Sequence, residues 1–431
     1  MVGDPKMRPI NFGAEVISGF AFKSEDFSDA GIPVVKIKNV NNRLVDLTET
    51  EFFPSEKVTE KHERFFLKDG DVLIAMTGQG SVGRVGKLRL SVPQRVLLNQ
   101  RVGRFSTDPK KLDLDYLYYV ISTPTYEQIL FNAGSGSGQP NLSPSVICSV
   151  EIPVPTLAEQ KDIAAVLCAL DDKIELNRRT GRALERVARA LFRAWFVDFE
   201  PVKAKASGAR SFPGMPQEVF DALPNHLVES ELGPVPEGWG VGSVEDIARY
   251  VNGRPFTKHA NDTGRMIIRI AELNSGPGAS TKYSDVDAAP DNTAFTGDIL
   301  FAWSGSLDVY RWFRDEAIIN QHIFKVIPRK VPAWFVYYQL REAMPFFKAI
   351  ASHKATTMGH IQRHHVDQAK LAIPANCLMT AADNIINPMF TLGLELERES
   401  IRLAEIRDYL LPQLLSGRRR LKSEVTNAER T

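Results

Sequence analysis

Two hydrophobic patterns alternate along the chain. Short apolar runs bounded by Gly, Pro and Asp, such as Val34-Val35-Lys36-Ile37-Lys38-Asn39-Val40 and Asp71-Val72-Leu73-Ile74-Ala75-Met76, predict strands. Tyr116-Leu117-Tyr118-Tyr119-Val120-Ile121 predicts a short helix that Pro124 ends, and residues 134–140 predict a glycine-rich loop. From Thr156 the period changes. Leu170, Ile174, Asn177, Gly181, Leu184, Ala188, Leu191 and Trp195 recur at alternating spacings of four and three, the seam of a helix packed on another helix. Thr156-Leu157-Ala158-Glu159 predicts a capping box at its start. Asn177 in the seam costs stability but fixes register. Gly181 weakens the helix by ~1 kcal/mol and leaves room for close approach of a partner helix. A second seam follows at Met389, Leu392, Leu396, Glu399, Leu403, Ile406 and Leu410, with Asn387-Pro388 as cap and first residue.

The landmarks of residues 12–105 return in residues 244–326. Phe66-Leu67-Lys68-Asp69-Gly70-Asp71-Val72-Leu73 reappears as Ala294-Phe295-Thr296-Gly297-Asp298-Ile299-Leu300, and Leu98-Asn99-Gln100-Arg101-Val102 as Ile319-Asn320-Gln321-His322-Ile323. The chain therefore divides into a module (1–155), a long helix (156–199), a proline-broken connector (200–240), a second module (241–374), a second long helix (375–420) and a polar tail (421–431). The expected fold is α/β (α+β): two globular mixed α/β domains joined by two long antiparallel coiled-coil helices, with a pseudo-two-fold internal repeat. A helix of ~40 residues spans ~60 Å, enough to bridge one and a half to two turns of duplex at ~34–36 Å per turn.

Composition narrows the class. A length of 431 residues with 43% hydrophobic and 24% charged residues suits two or three soluble domains. The net charge of +1 gives no global pull toward nucleic acid, so a binding face has to come from local sorting of charge. Cys148, Cys168 and Cys377 are far apart and lack metal-ligand spacing, which points to a reduced, cytoplasmic setting. No apolar run approaches the ~20 residues of a membrane helix.

Catalytic signatures are missing. There is no phosphate-binding Gly-x-x-x-x-Gly-Lys-Ser/Thr loop and no Asn/Asp-Pro-Pro-Tyr/Phe run of an amino-methyltransferase. His360 and His364 have chelating spacing, but no further ligand stands near them in sequence, and no metal site is expected. The loop Gly78-Gln79-Gly80-Ser81 and its counterpart Ser304-Gly305-Ser306 follow strands. They are either hairpin turns or places where backbone amides approach phosphates. Basic residues gather beside them: Arg84, Lys87, Arg89, Arg101 and Arg104 in the first copy, Arg311, Arg314, His360 and Arg363 in the second. Such clusters can neutralise phosphates and read guanine edges, or simply line a solvated face.

Specific motifs add a resemblance. Thr156-Leu157-Ala158-Glu159-Gln160-Lys161-Asp162-Ile163, Leu170-Asp171-Asp172-Lys173-Ile174-Glu175-Leu176-Asn177 and Leu191-Phe192-Arg193-Ala194-Trp195-Phe196-Val197-Asp198-Phe199 resemble the central helix of type I restriction–modification specificity (S) subunits, the HsdS family. Pro236-Glu237-Gly238-Trp239 resembles the family's opening of a target-recognition domain. Gly136-Ser137-Gly138-Gln139-Pro140-Asn141-Leu142-Ser143 resembles its loop before the helix, and residues 403–417 its C-terminal ending. The first module lacks the Pro-Glu-Gly-Trp opening, and the second reads Thr357-Met358-Gly359-His360-Ile361 at the loop, so unlike half-sites are expected. The resemblance implies a non-catalytic subunit that reads a bipartite site on double-stranded DNA. It implies docking of two methyltransferase (M) subunits, with restriction/translocase (R) subunits as further partners. S-adenosylmethionine, ATP and Mg would then sit on those partners, and no cofactor on this chain. A single-chain DNA methyltransferase or nuclease, and a coiled-coil protein-interaction scaffold, stand as the alternatives.

Overall fold

The computed structural model describes residues 5–41, 43–90, 92–135, 140–353 and 360–421. The expected loop residues 136–139, the segment Thr357-Met358-Gly359 and the tail beyond 421 lie outside the described residues. The chain forms two compact units, Met1–Lys173 with Leu403–Thr431, and Ile174–Arg402.

In the first unit a two-stranded antiparallel ribbon, Lys6–Pro9 against Glu151–Val154, closes the module at its two ends. Between them lie two sheets. One runs in the order Ala14–Ser18, Val102–Thr107, Val72–Ala75, Val85–Lys87, Arg43–Val45, Val40–Asn41. The other runs Glu51–Phe53, Ile32–Val35, Val96–Leu98, Phe66–Leu67, and its two middle strands are parallel. The strand Val72–Ala75 is buried at every position because both of its faces are covered, which is why it reads as an unbroken apolar run.

The second unit repeats this plan. Its ribbon is Gly240–Ser243 against Lys370–Ile373. One sheet runs Ala248–Asn252, Ile323–Pro328, Ile299–Ala302, Asp308–Arg311, and the other Lys282–Ser284, Arg265–Ile268, Ala317–Ile319, Thr293–Ala294, again with a parallel central pair. The turn before the buried strand is built alike in both copies. Gly70 and Gly297 take positive φ (87° and 97°), a conformation that disfavours any side chain. Asp71 and Asp298 accept from the amides of Lys68 (2.8 Å) and Phe295 (2.7 Å).

The two long helices, Leu157–Phe196 and Asn376–Leu415, have 40 residues each. Thr156 caps the first: its Oγ1 accepts from the Glu159 amide (3.3 Å) and Glu159 accepts from the Thr156 amide (3.1 Å). Within the first unit, Ile163 and Leu167 share a core with Leu411 and Leu414, and Arg407 bonds Asp171 at 2.5 Å, so the helices run antiparallel. Within the second, Asn177 Nδ2 donates to Glu399 Oε2 (2.7 Å), while Phe192 and Phe196 lie in one core with Leu378, Ala382 and Ile386. The direction is again antiparallel.

Several expectations need correction. On the first helix Ile174, Asn177, Ala188 and Trp195 are buried, while Leu170, Leu184 and Leu191 are half-buried. A Cβ at Gly181 would meet nothing within 4 Å, so this glycine serves no close approach. On the second helix Leu396, Leu403 and Leu410 are half-buried, but Leu392 and Ile406 are each 47% exposed. The inward row lies one residue further on. Phe390, Gly393, Leu411 and Leu414 are buried, and between them Glu397 and Arg407 make internal ion pairs. The helix begins at Asn376, not Asn387, and stays helical through Pro388. Pro124 starts the helix Pro124–Gly134 rather than ending its predecessor, as a proline in the first turn loses no hydrogen bond. The expected strand 34–40 is broken by a 3-10 turn at Ile37–Asn39, which Asn39 stabilises by accepting from the Lys36 amide (2.9 Å). The connector is not irregular throughout: it folds helices Glu200–Ala206 and Gln217–Ala222, whose Val202 and Phe220 join the core around Trp195.

Candidate nucleic-acid interface

Each module pins the segment after its buried strand from both sides. In the first, the Met76 amide donates to Arg101 O (3.0 Å) and Met76 O accepts from the Leu142 amide (2.7 Å). In the second, the Trp303 amide donates to His322 O (3.0 Å) and Trp303 O accepts from the Ile361 amide (3.1 Å). Three chain segments distant in sequence thus meet at one edge in either copy, and the glycine-bearing loops leave from that edge.

In the first loop Gly78, Gly80 and Gly83 have positive φ. The amides of Ser81, Val82, Gly83 and Arg84 are spent on Gly78, Ala75 and Ser81 carbonyls, so they do not form an anion cradle. Gln79 and Arg101 are exposed and Arg84 is half-buried; among the described residues neither arginine forms an ion pair. These residues are available to a ligand.

Other expected contacts are held by the protein itself. Lys87 is buried and pairs with Asp115, and burial pushes the adjacent Cys168 thiol up to about 11. Arg89 pairs with Asp172 at 2.8 Å. Arg104 donates to Phe66 O (3.1 Å) and faces Asp71 at 3.8 Å. Arg311, in the strand register that corresponds to Lys87, donates to Phe390 O (2.8 Å), faces Glu397 at 3.7 Å and stacks on Phe390 and Tyr337. Burial pushes the Glu397 carboxyl up, and Arg311 only partly offsets this. Lys87, Arg89, Arg104 and Arg311 therefore fix modules to helices and turns; the sequence alone could not show their acidic partners. Arg314 is half-buried beside Gly276.

In the second module Ser306 and Arg363 are exposed, and Ser304 and His360 are half-buried and bridge one another as strand partners. Arg363 faces Glu245 at 3.4 Å. His365 accepts from the Gln362 amide as a helix cap. Among the described residues no group of three or more His, Cys, Asp or Glu side chains could hold a metal ion. Residues passed over in the sequence complete this edge. Trp303 Nε1 donates to Asn252 Oδ1 (2.9 Å), and its ring packs on His322 and Phe324. The single tryptophan beside Ser304 was the available signal. The exposed Arg254 accepts the Gln321 amide at its carbonyl (3.0 Å), next to the His322 turn.

A duplicated α/β module with antiparallel helices is shared with known proteins. The family description "Type I restriction modification DNA specificity domain" matches residues 14–186 and 236–376, most of the chain. The chain belongs to this family. The type I restriction enzyme MjaIX specificity subunit of Methanocaldococcus jannaschii is 27% identical over 413 residues, covering 93% of this chain and 89% of that one. The HindI specificity subunit of Haemophilus influenzae is 24% identical over 356 residues, 69% of this chain and 75% of its own. The crystal structure of the type I restriction–modification S subunit from M. genitalium superposes with a TM-score of 0.55 over 95% of both chains at 15% identity, a likeness of fold. The chain is a specificity subunit of the type I restriction–modification class, and each module falls largely within one of the two matched segments. Among the described residues no helix is long and apolar enough to cross a membrane.

Proposed function

We propose that this specificity subunit reads a bipartite site on double-stranded DNA, one half-site per recognition domain, and performs no chemistry itself. One observation carries the reading: the two domains share a backbone framework yet differ in side chains at matched positions of the pinned edge. Met76, Arg101 and Phe20 in the first correspond to Trp303, His322 and Arg254 in the second. A common scaffold with unlike edge chemistry suits two half-sites of different sequence, because backbone positions the reader and side chains specify the base.

Two methyltransferase subunits are proposed to dock on the exposed sides of the long helices. Leu176 (58% exposed) and Val187 (50% exposed), three turns apart on one helix face, present apolar surface that nothing in their own unit covers. S-adenosylmethionine would be bound by those subunits, and ATP with Mg by restriction/translocase subunits. Mapping methylated adenines in the source genome with and without this gene tests the reading. It stands if one split motif loses methylation on deletion, and falls if no motif changes or if the purified chain alone transfers methyl groups to DNA.

A further inference from the structure

The second recognition domain holds a cleft of about 380 Å³, lined by Tyr250, Asn252, Trp303, Phe324, His360 and Arg363 among others. Its size falls within the range of small-ligand sites. The register identifies the matching positions of the first domain: Val16 for Tyr250, Ser18 for Asn252, Met76 for Trp303 and Gly103 for Phe324. There Val16 and Met76 close on the position that carries the Phe324 ring in the second domain. A Cβ on Gly103 would come within 2.5 Å of Val16 and 3.2 Å of Met76 Sδ. Rings at three of these positions replace Val16, Met76 and Gly103, so the framework does not require the aromatic walls.

The walls and the polar groups point to one ligand class. Trp303, Phe324 and Tyr250 provide aromatic surface. Asn252 spends its carbonyl on the Trp303 indole, which leaves its amide NH₂ as a donor. The exposed Arg363 adds a guanidinium, shared with Glu245 at 3.4 Å, and His360 an imidazole. Exposed Arg254 and His322 lie on the adjoining turns, bonded through the Gln321 and Trp303 amides. Aromatic walls, donors toward carbonyl acceptors and cations alongside suit a nucleobase on its phosphate backbone. A concave site of this kind cannot be filled by the edge of a stacked base pair, which is read by side chains projecting into a groove. The base has to leave the stack.

We propose that this cleft receives one unstacked nucleobase with an acceptor-rich edge from the half-site read by the second domain. The inference rests on the reading of the chain as a DNA-binding subunit. The everted base is distinct from the adenine that is methylated.

The test uses the complex with methyltransferase subunits and duplexes altered at each position of that half-site except the methylated adenine. A mismatch that keeps the candidate base but unpairs it lowers the cost of eversion, whereas an abasic residue removes the ligand. At one position the wild-type complex should bind the mismatched duplex about 10-fold more tightly than the abasic one, the scale of one base–aromatic stack. Trp303→Leu and the surface variant Arg363→Ala should each reduce that ratio to within about 2-fold, with affinity for the other half-site retained as the control for folding. If no position gives the ratio, or if it survives both variants, the cleft proposal is wrong while specific binding still stands. If the complex recognises no split site at all, the parent reading fails instead.

Discussion

A buried cation and an exposed one look alike in a sequence, and the fold gives them opposite roles. Lys87 and Arg311 occupy the same strand position in the two domains, and each turns inward to an acidic group and the long helices. Lys87→Ala should lower stability by about 1–3 kcal/mol and leave the salt dependence of DNA binding unchanged. Arg101→Ala should do the reverse, reducing the slope of log K against log salt by about 1 with no shift in thermal midpoint; titrations at several salt concentrations distinguish the two. Glu272 offers a pH signature. Burial alone would raise its pKa, but hydrogen bonds from the Arg269 side chain, the Arg269 amide and Thr281 outweigh burial and the net shift is downward. A lowered folded pKa contributes stability that is present above the ordinary carboxylate range and lost as pH falls through it. Melting of wild type should therefore weaken from about pH 5 downward. Glu272→Gln should be less stable at pH 7 and flatter across that acid window.

At the scale of elements, the strands were legible because full burial on both faces writes itself as continuous apolar runs, Val72–Ala75 and Ile299–Ala302. The duplication was legible for the same reason. The register of the second long helix was not. Its inward row contains Gly393, Glu397 and Arg407, which are small or charged, so hydrophobicity favoured the leucines beside it. Ion pairs with Arg311 and Asp171 compensate those positions, and both partners lie far away in sequence. The aromatic cleft stayed hidden because its walls come from four separated segments. On the first helix, Leu176→Asp with Val187→Asp should change stability by less than about 0.5 kcal/mol per site, as exposed positions do. The same pair of changes should abolish co-purification with methyltransferase subunits. Retained assembly would move the docking face elsewhere.

For the molecule as a whole, exchange of residues 241–374 for the corresponding domain of a relative should alter one half of the recognised motif and leave the other untouched. Methylome sequencing reads this directly, and a change in both halves would mean that the two domains do not read independently. The overall division into two modules and two helices could be read from the chain before any coordinates, since repeats and heptads are local signals. The partition of the folded protein could not. Each compact unit takes one module and pieces of both helices, Met1–Lys173 with Leu403–Thr431 and Ile174–Arg402, because the antiparallel pairing joins segments more than two hundred residues apart.

The narrow ribbons at the base of the modules have a hereditary consequence. Each lobe enters and leaves through only two short strands, Lys6–Pro9 with Glu151–Val154 and Gly240–Ser243 with Lys370–Ile373. Crossovers in the gene at those two points would carry all the sheet strands of a lobe into another lineage, leaving only its packing against the long helices to be matched there. New specificities could then arise by shuffling finished parts, without the slow search through single substitutions that a continuous interface would demand.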